Sequence, residues 1–130
     1  MATYLLDSDV IIDALRGRRG RNELLARLAR EGHWLACCPV NVTEVYAGVR
    51  AGEEAQTRAL LDGLIYCPAT REIATRAGLL KRDWAQRGVT LALSDVTMAA
   101  TALANGFTLI TSNRRHYPMP ELEVFPLPEA

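Results

Sequence analysis

Three acidic residues stand at or near the start of helix-like segments: Asp7 after the strand-like Tyr4-Leu5-Leu6, Glu44 beyond the strand-like run 34–38, and Asp95 at the head of an alanine-rich stretch. Asn113 follows a further strand-like run, three residues beyond Ile110. Carboxylates gathered in one place repel, and they raise one another's pKa unless a cation lies among them. Magnesium is typically held by a few carboxylates together with waters and substrate phosphates, so a cluster of this kind suits phosphodiester hydrolysis. Taken singly, each acid has a plainer reading. Asn41-x-x-Glu44 has the form of a helix capping box in which Glu44 reaches back to the first backbone amide. Asp7 and Asp95 equally suit the N-terminal end of a helix dipole.

The elements that carry these residues decide between the readings. Residues 4–6 read as a short buried strand, after which Val10, Ile11, Ile12 and Leu15 recur at helical spacing. Gly17 to Gly20 interrupt the pattern, and a second helix spans about 22–30, ended by Gly32. Residues 34–38 form the next strand, closed by Pro39, and Val42, Val45, Tyr46 and Val49 mark a third helix whose first turn holds Glu44. A fourth helix over 54–61, a strand over 64–67 and a long helix over 71–87 follow. Ser94 then leads into a helix over 95–105 with Gly106 as its C-terminal cap, residues 107–110 form a fourth strand, and 122–125 form an edge-strand candidate. This alternation implies βαβ units in one three-layer α/β/α domain over 1–130, with a mostly parallel sheet of four or five strands. Ligands of such sheets bind at the carboxyl ends of the strands, where the next helices begin. Asp7, Glu44, Asp95 and Asn113 therefore fall on one edge, a convergence that capping alone does not require.

Composition bounds the answer further. A chain of 130 residues with 49% hydrophobic and 23% charged residues can bury one core and is not disordered. No apolar run is long enough for a bilayer span, and the first residues lack the basic region of a secretory signal, so a cytoplasmic protein is expected. Cys37, Cys38 and Cys67 have neither zinc-ligand spacing nor a disulfide pattern; the first two read as buried thiols on opposite faces of one strand. Fifteen basic residues balance fifteen acidic ones, so any affinity for nucleic acid must be local. Arg16, Arg18, Arg19 and Arg21 cluster around Gly17 and Gly20, either as forks for phosphate or as a solvated loop.

The motifs resemble those of the PIN-domain nucleases, and among them the toxin ribonucleases of the VapBC type, over nearly the whole chain. The opening Tyr4-Leu5-Leu6-Asp7-Ser8-Asp9-Val10 is similar to the family's first strand and metal-site aspartate. Asn41-Val42-Thr43-Glu44-Val45-Tyr46 carries the second acid, and Ser94-Asp95-Val96-Thr97 the third. The closing Thr108-Leu109-Ile110-Thr111-Ser112-Asn113-Arg114-Arg115-His116-Tyr117 resembles the last strand and loop. The resemblance implies that Asp7, Glu44 and Asp95 bind magnesium or manganese and that RNA is cut to leave 5′-phosphate and 3′-hydroxyl ends. It implies supporting roles for Ser8, Thr111, Asn113, Arg114 and Arg115 around ligands and substrate, a cognate antitoxin protein, and a homodimer, with 60–66 and the helix near 45–49 as the candidate face. His116 has the chemistry of a general acid but reads first as a loop histidine at the surface or against RNA, and Asp13 as a solvated helix acid. Two positions depart from the family pattern: Asp9 stands where relatives often carry a small polar residue, and Asn113 where many carry a fourth aspartate.

Asp7-Ser8-Asp9-Val10 also looks like the opening of haloacid-dehalogenase-like phosphatases, in which the second aspartate is an acid/base. That chemistry needs a downstream lysine and a further acidic pair, whereas Lys81 lies mid-helix and Asp95 stands alone. Flap-type DNA nucleases share the PIN core but carry insertions that 130 residues cannot hold. A PIN-like scaffold that only binds RNA or a partner is the third alternative, and retention of all three acids weighs against it.

Overall fold

Side-chain alternation along the central strands divides the core in two. Leu5, Ala36 and Leu109 face one apolar cluster, while their neighbours Leu6, Cys37 and Ile110 face another. The computed structural model, which describes residues 1–127, builds these strands into a four-stranded sheet: β1 (Thr3–Leu6), β2 (Trp34–Cys37), β3 (Ile65–Tyr66) and β4 (Thr108–Ile110). Their spatial order is β3-β2-β1-β4 and every pairing is parallel. Leu5 is opposite both Ala36 and Leu109, so the two innermost strands are buried on both faces.

Parallel pairing requires helical crossovers, and these form the outer layers. α1 (Ser8–Leu15), α2 (Arg21–Arg30) and α4 (Glu54–Asp62) bury Val10, Ile11, Leu25, Leu28 and Leu61 on the Leu6 face. α5 (Arg71–Gln86) and α6 (Leu93–Asn105) pack against each other and bury Ile73, Ala77, Val96 and Ala99 on the Leu5 face. Each large aliphatic side chain withdrawn from water here contributes about 1.5–3 kcal/mol. α6 packs closely because its buried face is small, with Ala99, Ala100 and Ala102 all at 0% exposure. Its end is set by Gly106, whose φ of 69° is left-handed.

Three local readings change. Pro39 does not close β2; it opens α3 (Pro39–Ala47), since its missing N–H is no loss in a first helical turn. Glu44 therefore lies in the second turn of α3. The capping box is made by Cys38 and Asn41, with the Asn41 Oδ1 accepting from the Cys38 N–H at 2.8 Å, so Glu44 is released from capping. The edge-strand candidate over 122–125 reduces to a single parallel bridge between Val124 and Leu109. Cys37 and Cys38 do fall in opposite clusters, and burial pushes the Cys37 thiol up to about 11. No helix among the described residues is long and apolar enough to cross a membrane.

Candidate active site

The junction of β1 and α1 fixes the first acid. The Asp7 N–H donates to the Ile110 carbonyl at 2.9 Å, continuing the β1–β4 ladder by one residue. Its Oδ1 accepts from the Ser8 N–H at 2.8 Å and caps α1. Its Oδ2 accepts from two hydroxyls, Thr111 Oγ1 and Tyr117 Oη, both at 2.8 Å. At 8% exposure Asp7 is thus held by donors from the start of α1 and from the loop beyond β4.

Tyr117 joins this acid to the next. Its Oη lies 3.3 Å from Asp95 Oδ1, so Asp7 and Asp95 share one hydroxyl. That hydroxyl carries a single proton and can serve one carboxylate fully at a time. The Asp95 carboxyl is raised above its ordinary value, first by burial and then by Asp7, with a smaller push from Glu44. His116 and the Tyr117 hydroxyl act in the opposite direction, His116 Nδ1 lying 3.6 Å from Asp95 Oδ2. Burial and the same two aspartates hold the Tyr117 phenol well above its ordinary value, so it remains a donor.

Glu44 is exposed and reaches the cluster through Ser8, whose Oγ donates to Glu44 Oε1 at 2.7 Å. The fully buried Asn41 donates from Nδ2 to the Ser8 Oγ at 3.1 Å, which orients that hydroxyl toward Glu44. The strand and helix ends therefore bring Asp7 and Asp95 together across the shared Tyr117 hydroxyl, and join Glu44 to the cluster through Ser8. Among the described residues, no three acidic, histidine or cysteine side chains already close on one point as a cage. The donors available are carboxylate oxygens with hydroxyls behind them, a hard-oxygen set that fits magnesium or manganese better than zinc.

Asp9 lies at the same edge and faces the loop after β4. Its Oδ2 accepts from the Ser112 N–H at 3.0 Å and from Asn113 Nδ2 at 3.2 Å, while Oδ1 accepts from the Val10 N–H. Burial and then Asp7 raise its carboxyl, partly offset by the Ser112 amide and hydroxyl. Thr111 accepts from the Asn113 N–H at 3.0 Å, so the loop is tied to both Asp7 and Asp9. Arg114 and Arg115 begin a 3-10 turn, Arg114–His116, and line a cavity of about 560 Å³ with Ser112, Asn113 and Tyr117. Asp13 is half-buried and lies 3.9 Å from Arg19, so it is less solvated than its helical spacing implies.

Tyr117 and Asn41 are the site residues that sequence reasoning did not single out. The only signal for Tyr117 is a hydroxyl-bearing aromatic in a polar loop after β4, ahead of Pro118. Tyr117→Phe should destabilise the protein by about 1–3 kcal/mol, because it removes the donor to a buried carboxylate. Urea unfolding of the two proteins measures this, and equal midpoints and slopes would contradict the bridging role.

The raised acids also set a pH dependence. Asp9 and Asp95 both titrate above 3.8 in the folded protein, so the unfolded chain gives up these protons first as pH rises. Their contribution therefore lowers stability as pH climbs from about 4 through the raised folded values, and the loss is complete above them. Melting temperatures in EDTA across that range should show this decline. Added manganese at neutral pH should reverse it.

The fold belongs to a known class. The sequence model of the PIN domain matches residues 4–122, and the chain belongs to that family. Ribonuclease VapC19 of Mycobacterium tuberculosis is 33% identical over 92% of this chain and 96% of that protein. Ribonuclease VapC10 of the same organism is 36% identical over 88% of this chain and 86% of its own length. Among solved structures, a toxin-antitoxin complex from Klebsiella pneumoniae superposes with a TM-score of 0.80 at 25% identity, covering 98% of this chain and 99% of that one. VapBC2 from Rickettsia felis, bound to a DNA fragment from its promoter, has the same fold, with a TM-score of 0.80 at 21% identity over 95% of this chain and 97% of its own.

Proposed function

We propose that this protein is a magnesium- or manganese-dependent endoribonuclease of the cytoplasm, the toxin of a toxin-antitoxin pair. The observation that carries the reading is the sharing of the Tyr117 hydroxyl by Asp7 and Asp95, with Glu44 joined through Ser8. The relatives named Ribonuclease VapC support RNA as the substrate, and the toxin-antitoxin complexes of the same fold support a small antitoxin as partner. Asp7, Asp95 and Glu44 are the residues that would hold the ion. When bound, it supplies Lewis acidity, acidifying the attacking water and shielding charge that builds on the phosphoryl oxygens.

The chain's own groups do the remaining work. Thr111 and Tyr117 hold the Asp7 Oδ2, and Ser8 fixes the direction of Glu44. Arg114 and Arg115 present guanidinium forks to substrate phosphates along the adjoining cavity. His116, exposed beside Asp95, contacts RNA in this reading. Exposed Tyr46, Ile65 and Tyr66 offer an apolar face for a homodimer. The phosphatase alternative is disfavoured because the Lys81 Nζ donates to the Leu91 carbonyl and Asp9 is engaged by the loop after β4. The test is incubation of the purified protein with end-labelled single-stranded RNA and magnesium, followed by analysis of product ends. Fragments with 5′-phosphates support the reading. Release of phosphate from small monoesters with intact RNA supports the phosphatase, and metal binding without either activity supports the non-catalytic scaffold.

Asn113 limits how much charge the site offers. Its amide donates to Asp9, so Asn113→Asp replaces a hydrogen bond with a second carboxylate about 3 Å from the first. The variant should melt lower than wild type in EDTA and bind manganese more tightly, as read by calorimetric titration. Unchanged binding would show that the amide does not limit the site.

A further inference from the structure

Arg21, the first residue of α2, is only 4% exposed. A guanidinium is seldom buried without a carboxylate, because the desolvated charge must be compensated. None of the ion pairs among the described residues includes Arg21. Its Nη1 donates to the Arg19 carbonyl at 3.2 Å and its Nη2 to Ser112 Oγ at 3.3 Å, while its buried Nε has no partner among the described residues. Two neutral oxygens at long range leave most of the charge unanswered.

The cavity beside it has a volume of about 510 Å³, and Arg19, Arg21, Glu23, Arg27 and Arg30 line it. Gly20, also in its wall, caps α2 without a side chain, so the positive end of a ten-residue helix opens into the same space. Among the described lining residues four arginines meet one carboxylate, Glu23, although Arg19 and Arg27 also lie 3.9 and 4.0 Å from Asp13 and Glu31. Ser112, which Arg21 touches, also lines the cavity of Arg114, Arg115 and Tyr117. Arg21 thus stands at the seam between the carboxylate edge and a second, basic cavity.

We propose that this second cavity is a phosphate seat for the backbone of bound RNA, occupied by a phosphodiester away from the one being cut. Arg21 and the amide end of α2 receive the phosphate, and Arg19, Arg27 and Arg30 line its approach. A phosphate suits the place because a planar fork and a helix N-terminus both match its oxygens. The inference rests on the ribonuclease reading for its substrate class, and among the described lining residues Glu23 is the carboxylate that opposes it.

The test is anisotropy of a fluorescent twelve-nucleotide single-stranded RNA with the whole protein in EDTA, which separates binding from cleavage. Arg19→Ala should weaken binding about three- to tenfold and reduce the slope of log affinity against log salt by about one, whereas Arg21→Lys, which keeps the charge and loses the planar fork, should weaken binding by about as much with the slope little changed. Glu23→Gln should tighten binding, and since Glu23 is exposed this variant keeps the test valid if Arg21→Lys folds poorly. Inorganic phosphate should raise the melting temperature of wild type more than that of Arg21→Lys. Phosphate stabilisation with RNA affinity unchanged in all three variants would mean a site for free anions, and would overturn the RNA seat. So would variants that lose binding of a polyglutamate peptide but retain that of RNA, which would point to an acidic protein partner. If the variants shift RNA binding but wild type cuts no RNA with magnesium, the seat stands and the catalytic reading falls.

Discussion

Asp95→Asn and Asp7→Asn should each lower kcat/KM on RNA by at least about 100-fold, since even partners behind a metal ligand are typically worth 10- to 100-fold. Their effects on stability should differ, which distinguishes a catalytic cluster from a set of helix caps. Asp95 is raised by burial and by Asp7, so Asp95→Asn relieves repulsion and should raise the melting temperature in EDTA. Asp7 also caps α1 and accepts from Thr111 and Tyr117. Asparagine caps as well as aspartate but turns one of those acceptors into a donor, so Asp7→Asn should melt slightly lower than wild type. Glu44→Gln, exposed and joined through Ser8, should lose activity with the least change in melting. Full activity per folded molecule in Asp95→Asn, with a lowered melting temperature, would return that residue to an ordinary place in the first turn of α6.

Withdrawal of the divalent ion should have a larger effect still, reducing RNA cleavage to the uncatalysed level. Among the described residues no arginine, lysine or histidine pairs with Asp7. His116 lies 3.6 Å from Asp95 and is exposed, and Arg114 and Arg115 line the cavity farther along the loop. EDTA should abolish cleavage, and magnesium or manganese should restore it. Calcium, which prefers longer bonds and more ligands, should restore it poorly. Equal cutting in EDTA would point to a metal-free mechanism centred on His116.

The sheet was legible because its signals are local. Leu5-Leu6, Ala36-Cys37 and Leu109-Ile110 are short apolar pairs, and in a buried parallel strand both members have a helix layer to face. The position of Asp7 followed from where the first of those strands ends, and that of Asp95 from the start of the alanine-rich helix. Glu44 was harder to place, because Asn41-x-x-Glu44 has the spacing of a capping box. Only the structure reveals that Pro39 starts the helix and that Cys38 and Asn41 make the box. The contacts of Tyr117 with Asp7 and of Asp9 with Asn113 each span more than a hundred residues, so no local period announces them. Arg21 was hidden for another reason. Within an arginine-rich loop it has the same spacing signal as its solvated neighbours Arg18 and Arg19, and burial alone sets it apart.

The most direct test of the account compares metal occupancy with catalysis in the same protein. Calorimetry gives the manganese affinity of wild type and of Asp95→Asn, and cleavage of end-labelled RNA across a manganese series gives the concentration for half-maximal rate. If the carboxylate edge holds the ion that cuts RNA, the two midpoints should agree within a few-fold in wild type, allowing for RNA present in one assay only. They should then move together to higher manganese in Asp95→Asn. RNA cleavage whose midpoint does not move while the calorimetric affinity falls would contradict the assignment.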